Sequence, residues 1–227
     1  CAISGETIDY GPCAFMDVYD PDTVFSSIDR FGRYAYAAQA DIILWNMAQL
    51  ASALVPLMPD EDRAVEQFTA QVNAMGDQIR AAWLARFGRK IGLAQATPQD
   101  APLIGRYLSL LQRHKADFTN GFRALTRLTA PADLPADDDT RAWEQDWLRR
   151  LEQEDDPAAT MRQANPALIP RNHRVEQMID AAVRGDMAPL HRMMAALSDP
   201  WQEHAEYADL AHPPAPAEVV QATFCGT

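Results

Sequence analysis

Val65, Phe68, Val72, Met75, Ile79 and Trp83 follow one another at steps of three and four residues. That spacing gathers all six on one face of an α-helix and would scatter them across both faces of a strand, so it commits the stretch to an amphipathic helix. Gly88, just beyond the run, is the residue type that closes a helix at the C′ position, and the helix is predicted to end there. A second run is broader: Ile43, Met47, Leu50 and Leu54 share one face, and Leu44, Ala48, Ala51 and Val55 the adjacent one. A band of that width exceeds what a surface helix carries, so this helix is expected at the centre of the core.

The same reading extends along the chain. Thr97-Pro98 supplies an N-cap followed by proline at N1, and Leu103, Tyr107, Leu110 and Leu111 continue a helix from it. Phe118, Phe122 and Leu125 mark another. The proline- and aspartate-rich stretch 131–140 predicts an exposed linker. Beyond it Trp143, Trp147 and Leu151 share a helical face, and the runs Val175, Met178, Ile179, Ala182 and Leu190, Met194, Leu197 flank Gly185-Asp186 as a helical hairpin. Pro200 to Pro216 predicts an extended tail. At the other end, Ala2 to Ile8 alternates around Gly5-Glu6, which predicts a short β-hairpin ending at Asp9. Asp9 to Phe31, with Pro12 and Pro21, predicts a long ordered loop of the kind that is usually functional.

Of the 227 residues 48% are hydrophobic and 23% charged, the profile of a folded globular protein. A net charge of −12 repels nucleic acid and anionic membranes. The charge-free stretch from Ile42 to Pro59 contains Asn46, Gln49, Pro56 and Pro59, which leave an apolar part too short for a bilayer, so a buried helix is expected and no membrane partner. Cys1, Cys13 and Cys225 are too few and scattered for a disulfide scaffold or a structural zinc site. With no signal-peptide pattern at the start and arginine far outnumbering lysine, a bacterial cytoplasmic location is the default expectation.

The chemistry centres on Asp9-Tyr10-Gly11, which follows the predicted hairpin and opens the long loop. Kinase-like enzymes place a Mg²⁺-holding aspartate in that context, and Mg²⁺ needs only one or two carboxylates beside phosphate oxygens and water. An aspartate turn would look the same by spacing alone. The wider string is more specific. Ile8-Asp9-Tyr10-Gly11-Pro12 continues through Phe15-Met16-Asp17, Asp20-Pro21, Gly32-Arg33-Tyr34, Gln39 and Leu44-Trp45-Asn46-Met47. It resumes at Asn165-Pro166, Arg171-Asn172-His173, Glu176, Ile179 and Gly185-Asp186, then passes Pro200 and Tyr207 to Pro213-Pro214 and a cysteine near the end. Taken together, these residues resemble the selenoprotein O family across nearly the whole chain.

That resemblance implies a mainly α fold: the C-lobe portion of a protein-kinase-like fold, with the short hairpin at its start and a helical C-terminal extension. Residues 1–130 would be the remainder of the lobe, 131–140 a linker and 141–227 the extension. It implies an enzyme that binds ATP in reversed orientation and passes AMP, or UMP in some members, to Ser, Thr or Tyr hydroxyls of proteins, with Mg²⁺ or Mn²⁺ as cofactor. Asp9 matches the family's metal-binding and ATP-contacting aspartate, whereas its metal-binding asparagine and catalytic base fall upstream of Cys1, as do the nucleotide-clamping Lys and Arg residues. No catalytic residue is therefore expected within the chain, which alone would be inactive. The alternatives are a standalone helical binding module with Asp9 vestigial, and ordinary phosphoryl transfer by the same lobe.

Several other residues carry expectations. Members of the family can join a loop cysteine to one near the C-terminus, which makes Cys13–Cys225 a candidate disulfide against the alternative of two reduced thiols. Arg33 is expected to pair with Asp17 or Asp20, and Trp45 and Asn46 to lie in the core. Arg171, Asn172 and His173 are expected to bridge the tail hairpin to the lobe, and Tyr19, Ser26 and Ser27 are ordinary loop hydroxyls.

Overall fold

A computed structural model describes Ser4 and residues 14–222. The predicted hairpin (apart from Ser4), Asp9 and all three cysteines lie outside the described residues. Within them the chain is mainly α, as expected, and its one ladder contact is an isolated antiparallel bridge between Val18 and Asp117. The described residues divide into two compact units, one holding 21–83 and the other 14–20 with 84–222.

In the first unit the loop 21–35 is closed by backbone bonds from Tyr36 N to Thr23 O and from Ala37 N to Pro21 O, both 2.9 Å. The Asp29 carboxylate accepts from the backbone N–H groups of Arg33 and Tyr34 at 3.0 and 2.7 Å. Helix α1 spans Gln39–Leu54, entered through a 3₁₀ turn at Tyr36–Ala38 and left through another at Val55–Leu57. The expectation that α1 forms the centre of the core is not met, because none of its residues is buried. Its apolar band is wide enough to need neighbours on two faces, and its side chains range from partly buried to exposed. Trp45, expected inside, is 51% exposed. The guanidinium of Arg33 lies over its ring at 4.6 Å, a cation–π contact. The expectation about bilayer length is also corrected: the 22-residue helix Tyr36–Leu57, with a mean hydropathy of 1.3 over an 18-residue window, is long and apolar enough to cross a membrane by length and composition alone.

Helix α2 runs Glu61–Lys90, with Asp60 accepting from Arg63 N at 3.0 Å, acidic residues in its first turn and Arg89 and Lys90 in its last. It passes straight through Gly88, contrary to the predicted stop. Gly88 is small because the chain folds back over it: a Cβ there would stand 2.4 Å from the Cβ of Ala96. The helix closes instead at Gly92, whose φ of +94° suits glycine. Gly92 N donates to Arg89 O and Leu93 N to Gly88 O, the paired bonds of a Schellman motif.

In the second unit, α3 (Ala101–Arg113) follows a 3₁₀ turn over Pro98–Asp100, where the Asp100 carboxylate accepts from Thr97 N at 2.8 Å and Thr97 Oγ1 at 3.0 Å. Helix α4 spans Phe118–Ala124, α5 Asp138–Leu151 and α6 Pro157–Ala164. The sequence reading did not include α6, although Asp156 caps it by accepting from Ala159 N at 2.8 Å and proline stands at its first position. The 131–140 stretch runs inside this unit, with Leu134 and Thr140 buried and Asp137 capping α5.

The core of this unit is aromatic. Trp143 and Trp147, one turn apart on α5, stack at 5.2 Å between centroids, Tyr107 stacks on Trp143 at 4.4 Å, and Phe122 meets Tyr107 edge-on at 5.0 Å. Each polar atom in this stack finds a carbonyl: Trp143 Nε1 donates to Leu103 O, Trp147 Nε1 to Ile91 O and Tyr107 Oη to Gly121 O. Helices α7 (Asn172–Val183) and α8 (Ala188–Leu197) form the expected hairpin. The tail is not simply extended: Ala205–Ala211 is a 3₁₀ segment, because Leu210 is buried against Leu168, Met193 and Ala196 and Asp209 pairs with Arg192 on α8.

Candidate functional site

Since Asp9 lies outside the described residues, the structural information about its surroundings begins with the segment that follows it, 14–20. This segment is held on both sides within the second unit. On one side Tyr19 N donates to Ala116 O at 2.9 Å and Phe118 N to Asp17 O at 2.7 Å, while the Tyr19 ring stacks on Phe118 at 5.5 Å. The receiving strand of backbone, 115–117, exists because α3 ends in a left-handed Lys115 with φ +51° and Ala116 N bonds back to Leu111 O.

On the other side stands the N-terminus of α7. Asn172 offers its side-chain amide to the backbone of Phe15 as a neighbouring peptide group would: its Oδ1 accepts from Phe15 N at 3.0 Å and its Nδ2 donates to Phe15 O at 2.9 Å. Arg171, only 1% exposed, bridges two carboxylates. Its Nη1 donates to Asp17 Oδ1 at 2.6 Å and to Asp117 Oδ2 at 2.5 Å, and its Nη2 to Asp117 Oδ1 and Ala211 O, both at 3.1 Å. Asp117 at the same time caps α4 by accepting from Asn120 N at 2.7 Å. The burial of Arg171 disfavours its charge, but Asp117 and Asp17 outweigh that and hold its pKa above the usual arginine value. Removing one partner from such a buried bridge costs about 3–5 kcal/mol, because the remaining charge is left without compensation.

Thus Asp17 pairs with Arg171, from the far end of the chain, rather than with Arg33. The expectation that Arg171 and Asn172 tie the tail hairpin to the rest is met, with Ala211 O as the tail's own contact. His173 next to them is 3% exposed and neither ring nitrogen has a hydrogen-bond partner. Its burial, with Arg174 nearby, lowers its pKa and favours the neutral ring. Tyr19 is buried, and burial with the charge of Asp20 raises its pKa, which fits a packing role.

A second staple stands below. Lys90 Nζ donates to Asn165 Oδ1 at 3.1 Å and Ala164 O at 3.3 Å and lies over the rings of Phe122 and Phe118 at 5.1 and 5.5 Å. Asn165 Nδ2 returns bonds to Lys90 O at 2.8 Å and Phe122 O at 3.3 Å. A cavity of about 620 Å³ opens between the end of α4 and the 205–211 segment, lined among others by Arg123, Arg127, Leu168, His204, Tyr207 and His212. It touches Asn120 and Ala211 from the surroundings of Arg171 but none of residues 14–20. Among the described residues no group of three or more His, Cys, Asp or Glu side chains has an arrangement that would hold a metal ion.

The chain belongs to the family described as protein adenylyltransferase SelO, whose model matches residues 1–198. It is 57% identical over 226 residues to the protein nucleotidyltransferase YdiU of Roseobacter denitrificans, covering 100% of this chain and 48% of that protein. Identity to the protein of the same name from Ruegeria pomeroyi is 50% over 226 residues, again 100% of this chain and 48% of the relative. The Rhodopseudomonas palustris protein is 45% identical over 243 residues, covering 100% of this chain and 49% of its own. The chain spans about half the length of the curated relatives it matches.

Proposed function

We propose that this chain is the C-terminal part of a protein nucleotidyltransferase with a kinase-like fold, which moves AMP, or alternatively UMP, from a nucleoside triphosphate to Ser, Thr or Tyr hydroxyls of proteins. The observation that carries the proposal is the family match over residues 1–198, which includes Ile8-Asp9-Tyr10-Gly11-Pro12. In this reading Asp9 supplies a carboxylate to Mg²⁺ or Mn²⁺ and faces the triphosphate. The metal, when bound, neutralises charge on phosphate oxygens during transfer. Arg171 and Asn172 hold Asp17 and the backbone of Phe15, which follow Asp9 in the chain. The catalytic base and the cations that grip the nucleotide come from upstream of Cys1, so residues 1–227 by themselves are inactive.

Transfer of label to protein from α-labelled but not γ-labelled ATP, by the complete gene product, tests this directly, and Asp9→Ala should abolish it. Transfer from γ-labelled ATP would instead mean phosphoryl transfer. Label from neither would leave a helical binding module.

A further inference from the structure

We infer that the cavity between the end of α4 and the 205–211 segment binds a small monoanion with an apolar, ring-sized body, whose charged group is held by the guanidiniums of Arg123 and Arg127. At about 620 Å³ the space is of the size of small-molecule sites, which are apolar over most of their lining and carry a few polar groups that orient the ligand.

The apolar part comes from the core. Leu168 and Ala196, buried in one cluster with Met193 and Leu210, both line the cavity. Seven of its eighteen lining residues are alanine, and side chains that small leave the space unfilled. Tyr207 adds a ring, edge-on to His204 at 6.0 Å between centroids. The cationic end is held in place. The Arg123 side chain is 12% exposed and makes three bonds: Nε donates to Glu203 Oε1 at 3.0 Å, and Nη1 to Asn165 O at 2.9 Å and Arg162 O at 3.4 Å. Its Nη2 has no partner among the described residues and is not enclosed, so one donor edge of a fixed guanidinium is left for the cavity. Arg127 stands four residues on, at the end of the 3₁₀ turn Leu125–Arg127 that continues α4, and has no hydrogen bond or ion pair among the described residues. Like charges at that spacing repel, and an anion bound to both relieves the repulsion. Of the acidic residues at the cavity, Glu203 is taken by Arg123, and Asp133 pairs with neither guanidinium among the described residues. Asp133 opposes a second negative charge, which favours a monoanion over a polyphosphate.

The test uses the complete gene product and two fluorescent probes of the same shape: anilinonaphthalene sulfonate, which carries an anionic group, and phenylnaphthylamine, which lacks it. Arg127→Gln removes the unpaired guanidinium at an exposed position, and Ala208→Trp, also at an exposed position, fills the space. Arg106→Gln, at an exposed arginine that pairs with Asp146 outside the cavity, is the control. Thermal unfolding of each variant verifies that it is folded. The sulfonate should bind wild type saturably at one site. Arg127→Gln should weaken it about tenfold, the worth of one hydrogen bond to a charged group, and leave phenylnaphthylamine unchanged. Ala208→Trp should abolish binding of both probes, and Arg106→Gln should alter neither. If Arg127→Gln weakens both probes equally, or the sulfonate no more than Arg106→Gln does, the guanidiniums hold no anion. If wild type shows no saturable site, or Ala208→Trp binds the sulfonate as wild type does, the cavity is not a binding site of this kind.

Discussion

Lys90 and Asn165 hold each other by reciprocal bonds, the ammonium on the amide oxygen at 3.1 Å and the amide nitrogen on the backbone carbonyl of Lys90 at 2.8 Å. Two distant stretches, the end of α2 and the residue after α6, are joined at this point, and Phe122 O is included as a third party.

Asn165 is fully buried, so Asn165→Ala would strand the carbonyls of Lys90 and Phe122 and one face of the ammonium without partners. A loss of about 2–4 kcal/mol in unfolding free energy is expected, read from the urea midpoint at constant slope.

Burial holds the Lys90 ammonium at a pKa of about 8, against an ordinary value of 10.5. Below pH 8 both folded and unfolded chains carry this proton, and the burial cost is present in full. Between about pH 8 and 10.5 the folded chain releases the proton while the unfolded chain keeps it, so this group's contribution to stability improves as pH rises. Wild type should therefore gain on Lys90→Met across that window, by up to about 1.4 kcal/mol per pH unit. Urea titrations of both proteins at pH 7.5 and 9.5 check the sign.

The hydrogen bond from Arg192 is the main cause that lowers the Asp209 carboxyl to about 2. In Arg192→Ala the NMR-titrated pKa of Asp209 should return toward the ordinary 3.8. Any stability supplied by the pair is present above the unfolded pKa and lost as pH falls from about 4 toward 2. It should be small, because Arg192 and Asp209 are 41% and 51% exposed.

At Gly88 two effects oppose each other. Alanine is favoured over glycine inside a helix by about 1 kcal/mol, but its Cβ would meet that of Ala96 at 2.4 Å. Overpacking against a backbone-fixed methyl costs about 1–3 kcal/mol, so Gly88→Ala should destabilise. Adding Ala96→Gly should remove most of the loss, which a double-mutant cycle on thermal unfolding would detect.

The periodic signals located α2, α3, α5, α7 and α8 because each has a face that the fold buries or half-buries. Thr97-Pro98 marked its turn for the same reason that it forms, a cap at hand. What was not legible depended on contacts between distant residues. Gly88 carried the stop signal of a C′ glycine, yet Ala96 packing over it accounts for its size and Gly92 makes the stop. The width of the α1 band was visible, but not whether anything covers it. Helix α6 offered Asp156-Pro157 as a start signal but only eight residues, too few for a period to stand out. At the candidate site, Asp17, Arg171 and Asn172 were all singled out from the sequence. Their pairing was not, because a charge offers no local clue to a partner 154 residues away, and Arg33 was nearer.

That separation has a consequence for how the chain comes to be folded. At about 5–20 residues per second of synthesis, the ribosome needs on the order of 10–30 s between making Asp17 and making Arg171. For that interval the residues following Asp9 have backbone groups and a carboxylate awaiting partners that do not yet exist. The helices between can already assemble locally, whereas Phe15 and Asp17 gain these partners only after Arg171 and Asn172 have been made. Termination anywhere before Arg171 would then yield a product with several of its helices and a segment 14–20 held on one side only.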